Sequence, residues 1–256
     1  MQHPWSVLLR GTDLRYSLQP GSQILASYPR HPSSYNPRMR LRHWVCGPLD
    51  NNIYLLEDEA SARCVLFDPG IDIGPVFQHI DDNGLAVERI LLTHAHFDHI
   101  FGLAEAKRRY NCPIHMHPAD EEVRARFLTI CENWGFPGAD APPEIDEPLS
   151  HGQRLELLGT SCEVRHTPGH APGQVAFVFD NFAIVGDTLF QRSIGRYDLP
   201  GSDPQALVNS IMEQLYTLPD ETVVYPGHGG FTTIGEERRF NPYVGEGARF
   251  RLREDD

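Results

Sequence analysis

The sequence predicts an α/β domain in which β-sheets pack together and helices cover their outer faces. Two observations lead to this prediction. Short apolar strands alternate with amphipathic helices from about residue 41 onward, and both halves of the chain are rich in strands. Residues 1–40 lack this regularity and contain five prolines, so we interpret them as an irregular N-terminal extension. Residues 41–256 then form a single domain.

The first half of the domain alternates strands with helices. Apolar runs predict four strands, over 52–57, 64–70, 87–93 and 112–117. Apolar residues at helical spacing predict two helices, over 71–84 and 99–110. A third helix begins near Pro118, with Asp120 in its first turn, where the helix dipole favours an acid. The stretch 134–148 is a loop by composition.

The second half repeats this pattern. Four more strands are predicted, over 161–167, 174–180, 182–187 and 222–229. Between the last two, apolar residues at helical spacing predict a helix over 202–218. Ser202 with Gln205 resembles a capping box, and Pro204 suits the first turn.

Composition limits the partners and the compartment. Residues 43–256 hold 16 of the 22 basic and 34 of the 35 acidic side chains, a net charge of −18. So acidic a domain is a poor partner for nucleic acid or an anionic membrane. The five scattered cysteines form no Cys-x-x-Cys pair, which fits a reducing compartment. We expect a soluble cytoplasmic protein, with organelle targeting by residues 1–40 as the alternative.

Side chains that can bind metals follow several predicted strands. The motif THAHFDH comes directly after the strand over 87–93, and three further residues follow strands of the second half. The candidate ligands are His94, His96, Asp98, His99, His170, Asp187 and His228. Strand ends are where α/β folds place their sites. Five histidines and two carboxylates exceed the needs of one tetrahedral ion and suit two.

The sequence therefore predicts two divalent metal ions, with zinc favoured and iron or manganese as alternatives. Two neighbouring metals lower the pKa of a shared water and stabilise a developing oxyanion. The predicted chemistry is hydrolysis by a hydroxide that bridges the metals. Asp98 and Asp187 are the catalytic candidates, since Asp98 can orient the hydroxide and Asp187 can bridge two cations.

The motifs THAHFDH, TPGH, GDTLF and PGHG resemble, in order and separation, the metal motifs of the metallo-β-lactamase fold superfamily. The resemblance spans about residues 50–242. It implies a four-layer αβ/βα sandwich of two packed mixed sheets with helices outside, and a catalytic domain over 41–256. It also implies a first metal on His94, His96 and His170. A second metal would lie on Asp98, His99 and His228, with Asp187 bridging the two ions.

Within that superfamily, GDTLFQRSIGRYDLPGSD and PGHGGFTTIGEERRFNPYV look most like short bacterial relatives of glyoxalase II, or hydroxyacylglutathione hydrolase. This resemblance implies a thioesterase that cleaves a small glutathione-linked thioester such as S-D-lactoylglutathione. It implies neither a nucleic-acid nor a membrane partner. The longer members carry a C-terminal helical domain that helps to hold glutathione, whereas this sequence ends soon after NPYV. The acyl group and the thiol of the substrate therefore stay open, as does the oligomeric state.

Other activities of the same fold remain alternatives. A persulfide dioxygenase would bind one iron on His94, His170 and Asp187, but its members typically read PGHDY where this chain reads PGHGG. A lactonase is a further alternative. A β-lactamase is disfavoured because that branch lacks the aspartate at the position of Asp187. A non-catalytic module is disfavoured because all seven ligands are intact.

Two further side chains have open roles. Arg196 can bind a substrate carboxylate as a bidentate fork, or it can pair with Asp198 and brace a loop. His166, four residues before His170, can orient a ligand through its other nitrogen or simply be packed. The spacing of His115 and His117 is explained by alternation along a strand, so we interpret both as structural.

Overall fold

The computed structural model describes residues 24–25 and 39–248, which contain two mixed β-sheets. The first has seven strands, in chain order across the sheet: β1 (Ile24–Leu25), β2 (Met39–Cys46), β3 (Asn51–Asp58), β4 (Arg63–Phe67), β5 (Ala86–Leu91), β6 (Ile114–Met116) and β7 (Glu147–Pro148). The later strands are β8 (Arg154–Leu157), β9 (Thr160–His166), β10 (Val175–Val178), β11 (Phe182–Gly186), β12 (Leu189–Phe190), β13 (Ser193–Ile194), β14 (Val223–Pro226) and β15 (Thr232–Thr233). The second sheet has the order β15-β14-β11-β10-β9-β8, and β12 pairs with β13.

The described ranges contain seven α-helices, the last of which follows β15: α1 (Gly74–Asp82), α2 (Phe97–Ile100), α3 (Leu103–Tyr110), α4 (Glu121–Ala125), α5 (Phe127–Asn133), α6 (Pro204–Ser210) and α7 (Ile234–Phe240). A 3₁₀ turn over Pro118–Asp120 precedes α4, and α6 continues as a π-helical segment over Ile211–Leu215. In the described ranges, no helix is long and apolar enough to cross a membrane.

The two sheets pack face to face, and helices cover both outer faces. Between the sheets, the rings of Phe67 and Phe177 meet edge to face with centroids 5.4 Å apart. The other face of the first sheet packs against α1, α3 and α5. The other face of the second sheet packs against α6, its π-helical extension and α7. This order of four layers confirms the predicted αβ/βα sandwich.

Parallel pairing brings the strand ends to one edge of the sandwich. β4, β5 and β6 pair in parallel in the first sheet, as do β11 and β14 in the second. The carboxyl ends of parallel strands lie at the same edge of a sheet. The sheets are joined at this edge by a hydrogen bond of 2.8 Å from the Val175 N–H to the Thr93 carbonyl oxygen. The residues that follow these strands therefore face one another across the sandwich.

Two sequence predictions about helices are wrong. The helix predicted over 99–110 is divided into α2 and α3 at Gly102, because the Gly102 N–H donates to the Pro69 carbonyl oxygen at 2.8 Å and turns the chain. The cap of α6 is Asp203 rather than Ser202. Asp203 Oδ1 accepts from the Ala206 N–H at 2.9 Å, whereas Ser202 Oγ donates to the Leu199 carbonyl oxygen at 2.7 Å.

The N-terminal region is only partly within the described residues. Ile24–Leu25 pairs antiparallel with β2, so the extension predicted to be irregular over 1–40 contains a two-residue β-strand. β2 itself begins at Met39, close to the predicted start of the domain. The remainder of the predicted irregular extension, with its alternative targeting role, lies outside the described residues, and the domain boundary stays a prediction.

Candidate metal centre

The structure brings all seven predicted ligands together at the edge where the strands end. His94 follows β5, and α2 begins directly after His96 and contains Asp98 and His99. The other three follow strands of the second sheet: His170 after β9, Asp187 after β11 and His228 after β14. Their potential ligand atoms form three groups, each within 4.8 Å: His94, His96 and His170; His94, His99 and Asp187; and Asp98, His99 and His228.

Asp187 lies between the two ligand sets that the sequence predicts. Its Oδ2 is 3.4 Å from His170 Nε2, a member of the first set. Its Oδ1 is 3.4 Å from His99 Nε2, and its Oδ2 is 3.6 Å from His228 Nε2, both members of the second set. One carboxylate therefore contacts both sets, as a bridging ligand must.

Hydrogen bonds on the outer side of the rings fix the nitrogens that face inward. His170 Nδ1 donates to the Arg196 carbonyl oxygen at 2.8 Å, and His228 Nδ1 donates to the Leu49 carbonyl oxygen at 2.9 Å. Because a carbonyl oxygen only accepts, each ring carries its proton on Nδ1 and directs the Nε2 lone pair into the cluster. His96 instead turns Nδ1 inward, 2.8 Å from His170 Nε2. Such outer partners orient metal-binding imidazoles.

Two inner atoms of the cluster lack a hydrogen-bond partner in the described part of the chain. His94 Nε2 and Asp187 Oδ1 are both buried without a hydrogen bond. Buried polar atoms are rarely left in this state, because each costs roughly 1–3 kcal/mol of desolvation. Imidazole nitrogens and carboxylate oxygens are the donors that Zn²⁺ and iron accept. The cluster therefore fits divalent metal ions.

Burial and charge set the protonation of the cluster. Burial lowers the pKa of the His96 imidazole to about 3 and holds the pKa of His94 well below its ordinary value. Burial also disfavours charge on His99, but Asp187 and Asp98 raise its pKa well above the usual range. The pKa values of both carboxyl groups are lowered by the neighbouring imidazoles, although burial opposes this. The two buried carboxylates, Asp98 and Asp187, thus favour the binding of cations within the cluster.

Two polar residues that the sequence reasoning missed hold the ligands. Asp68, directly after β4, accepts from the Thr93 N–H at 2.7 Å and lies 3.2 Å from His99 Nδ1. Asn51 Nδ2 donates to Asp98 Oδ2 at 2.9 Å. The rule that selected the ligands did not select Asp68, because it lies inside the strand predicted over 64–70, whereas the observed strand ends at Phe67. Asn51 carries no local signal, because it lies 47 positions before its partner.

The turn that carries His228 is held by close backbone approach. Asn52 Nδ2 donates to the Pro226 and Gly229 carbonyl oxygens, both at 2.9 Å. A Cβ atom at Gly227 would lie 2.1 Å from Asp187 Oδ1 and 2.7 Å from His99 Cε1. Only glycine therefore fits between the turn and the two ligands.

A cavity of about 850 Å³ leads to the cluster. His96, Asp98, His170, Asp187 and His228 line its inner end. Its walls are mainly apolar and include Leu49, Phe97, Val123, Ile130, Trp134, Phe190 and Leu199. A pocket of this kind accepts a small organic molecule and excludes water from part of it.

Arg196 and His166, for which the sequence leaves two roles open, both lie outside the cluster. Arg196 lines the cavity, and its guanidinium makes a bidentate pair with Asp198, both hydrogen bonds being 2.9 Å. This pairing favours the bracing role. The His166 ring stacks on His117 with centroids 4.0 Å apart, and its Nε2 donates to the Pro172 carbonyl oxygen at 2.8 Å. His166 thus contacts the loop that carries His170, and its hydrogen bond goes to main chain rather than to a ligand ring.

Comparisons with known proteins agree with this geometry. A family model described as the metallo-beta-lactamase superfamily matches residues 46–228. Hydroxyacylglutathione hydrolase GloC from Haemophilus influenzae is 34% identical over 193 residues, which are 73% of this chain and 89% of that protein. The crystal structure of BLEG-1 B3 metallo-beta-lactamase is 33% identical with a TM-score of 0.73, covering 80% of this chain and 99% of that one.

A second solved structure, TTHA1623 in a di-iron-bound form, is 41% identical with a TM-score of 0.72. The similarity covers 79% of this chain and 99% of that chain. The family match extends over most of the described residues and includes all seven clustered side chains. The chain therefore belongs to the metallo-beta-lactamase superfamily.

Proposed function

We propose that the protein is a dinuclear-metal thioesterase of glyoxalase II type that cleaves S-hydroxyacylglutathione, S-D-lactoylglutathione being the expected substrate. The observation that carries this proposal is the position of Asp187, whose carboxylate lies within 3.6 Å of imidazole nitrogens from both ligand sets. The proposed ligands of the first ion are His94, His96 and His170. Those of the second are Asp98, His99 and His228, and Asp187 is shared.

Metal ions held there would supply an activated water and positive charge for the oxyanion that forms on the thioester carbonyl. The chain's own residues supply the positioning. Asp98 lines the cavity and is fixed by the amide of Asn51, and its pKa is held below the usual range, so it is ionised at neutral pH. Its free carboxylate lone pairs can accept a hydrogen bond from the attacking water and orient it toward the substrate.

The cavity supports a small organic thioester as the substrate. The rings of Phe97 and Trp134 are tilted by 39°, with centroids 5.6 Å apart, and form part of an apolar wall beside the cluster. Phe190, which also lines the cavity, lies edge to face with His228, the ring centroids being 6.2 Å apart. Because a thiolate is a good leaving group, the reaction needs no strong general acid, and none is required of the cavity wall.

The relatives support hydrolysis and leave the metal open. The Haemophilus influenzae relative is named a hydroxyacylglutathione hydrolase, which is the activity that we propose. We propose zinc, with iron or manganese as alternatives, and the solved relative TTHA1623, which is in a di-iron-bound form, supports iron among these. Because BLEG-1 is named a B3 metallo-beta-lactamase, a β-lactam belongs among the test substrates.

The proposal is tested by metal analysis and thiol release with the purified chain, Asp187→Asn and the control Asp180→Asn. Asp180 is an exposed carboxylate at the turn before β11, at the opposite end of that strand from Asp187. We expect about two metal ions per chain and release of glutathione from S-D-lactoylglutathione. Asp187→Asn should lower kcat/KM by roughly 100-fold or more, since loss of an outer partner of a ligand alone costs roughly 10- to 100-fold, whereas Asp180→Asn should retain full activity.

Three results would contradict the proposal. One iron per chain with oxygen-dependent sulfite formation from glutathione persulfide would assign the chain to the persulfide dioxygenases. Faster hydrolysis of a lactone or a β-lactam than of any thioester would assign it to another hydrolase class. Equal activity of the chain and Asp187→Asn would show that the cluster is not the active site.

A further inference from the structure

A buried carboxylate outside the metal cluster links the two loops that carry three of its histidines. Asp120 ends the 3₁₀ turn after β6 and is fully buried, with 0% exposure. Its Oδ2 accepts from the Ala95 N–H at 2.8 Å, and its Oδ1 accepts from the Gly173 N–H at 2.5 Å. The sequence predicts that this carboxylate stabilises the first turn of a helix. In the structure, Asp120 makes no side-chain hydrogen bond to the start of α4, and its carboxylate instead binds Ala95 and Gly173.

Both partners of Asp120 lie beside proposed ligands of the same metal. Ala95 stands between His94 and His96, and Gly173 lies three residues after His170. These three histidines are the proposed first set, and they come from opposite halves of the chain. One carboxylate therefore ties the first-half loop to the second-half loop at the point where the first metal would bind.

The contact at Gly173 is too close for any other residue. A Cβ atom there would lie 2.6 Å from the Asp120 main-chain nitrogen and 2.8 Å from its Cβ and Cγ atoms. The loop after His170 is thus pressed directly onto Asp120, and a displacement of either residue moves the other.

The second ligand set has a different support. His99 Nδ1 lies 3.2 Å from Asp68, Asp98 is held by Asn51, and His228 Nδ1 donates to the Leu49 carbonyl oxygen. None of these hydrogen bonds involves Asp120. Asp68 contacts both sets, since Thr93, which donates to it, lies 3.0 Å from His94 Nδ1, whereas the two hydrogen bonds of Asp120 reach only main chain beside the first set.

We propose that Asp120 is a positioning residue for the first metal, acting through the main chain at Ala95 and Gly173. This inference rests on the proposed ligand assignment but not on the proposed substrate. Replacing one acceptor oxygen by an amide group, as in Asp120→Asn, sets an N–H against an N–H and releases one of the two loops. The three imidazoles then lose their common geometry, while the second set keeps its own supports.

The test is a titration of the metal-free chain with Zn²⁺ in competition with a chromophoric chelator. We expect two sites in the unaltered chain. In Asp120→Asn, one site should weaken by roughly 10- to 100-fold, the range found when outer partners of metal ligands are removed, and the other should change less than about 3-fold. Combining Asp120→Asn with His228→Ala should leave only the weakened site, because His228→Ala removes a ligand of the second set and the first set is the one that Asp120→Asn disturbs.

Two further variants keep the test decisive. Gly173→Ala disturbs the same contact from the other side and should weaken the same site. Asp146→Asn is the matched control, since Asp146 accepts the Ile114 N–H at 2.9 Å at the opposite end of β6. It should leave both sites unchanged.

Equal weakening of both sites, or no weakening, in Asp120→Asn and Gly173→Ala would overturn the inference. Loss of the folded state in both variants, seen by circular dichroism, would show that Asp120 stabilises the fold rather than one site and would also overturn it. If the unaltered chain binds fewer than two ions, the ligand assignment fails first, independently of Asp120.

Discussion

At the scale of single residues, the candidate ligand side chains can be predicted from the sequence, whereas the groups that hydrogen-bond to their outer ring nitrogens cannot. The seven candidate ligands occur in short motifs at strand ends, so local reading finds them. Two of the rings are held by main-chain carbonyls distant in the chain: Leu49 lies 179 positions from His228, and Arg196 lies 26 positions from His170. Any residue type can supply a carbonyl, so no sequence signal marks these partners.

The protonation of His96 gives a pH-dependent prediction. Burial holds its pKa at about 3 in the folded chain, below its ordinary value of 6.5. Between these values the unfolded chain binds the proton and the folded chain does not, so this group contributes stability above pH 6.5 that is lost as the pH falls. From pH 7 to pH 5 the expected loss is at most about 2 kcal/mol, an upper value because the ring is partly exposed.

The measurement is urea unfolding of the metal-free chain and of His96→Gln at pH 7 and pH 5. Other titrating groups are common to both proteins, so the difference between their unfolding free energies isolates His96. The unaltered chain should lose more stability on acidification than the variant does. A pH dependence that is the same in both, or steeper in the variant, would show that His96 is not held neutral.

At the scale of elements, the sequence predicted the strands whose inner residues are uniformly apolar and missed those with polar interruptions. β2 was missed because His43 occupies a buried position where the alternation of Met39 and Leu41 calls for an apolar residue, and its Nε2 lies 2.7 Å from Asn52 Oδ1. α7 was missed because its inner face carries Glu237, which is fully buried and accepts from Thr232 Oγ1 at 2.6 Å. In both elements a tertiary partner satisfies a polar side chain that argues against the element locally.

The turn after β14 gives a prediction at this scale. In Gly227→Ala, the new methyl group would collide with Asp187 and His99, so the turn must shift and His228 moves with it. We expect a destabilisation of about 1–3 kcal/mol, as for other overpacked sites, together with the loss of at least one bound metal ion per chain. Thermal unfolding and elemental analysis measure both effects.

Gly74→Ala is the matched control for this substitution. Gly74 begins α1, is exposed, and has no atom within 4 Å of a Cβ placed on it. It should keep its metal and be as stable as the unaltered chain or slightly more so, since alanine favours a helix. Retention of full metal content in Gly227→Ala would refute the close packing described at this turn.

At the scale of the whole molecule, the candidate metal centre forms only because the two halves of the sandwich meet. The first half supplies His94, His96, Asp98 and His99, and the second supplies His170, Asp187 and His228. The alternation of strands and helices predicted an α/β domain, and the order of the motifs predicted the four layers. Periodicity alone could not have shown which strand ends face each other, because that depends on the packing of one sheet against the other.

The most direct test of this account is a crystal structure of the metal-loaded chain with anomalous diffraction at the zinc and iron edges. We predict two anomalous peaks per chain. One should lie among His94, His96 and His170, the other among Asp98, His99 and His228, with the Asp187 carboxylate in contact with both. A single peak bound by His94, His170 and Asp187, or a metal bound away from these seven residues, would contradict it.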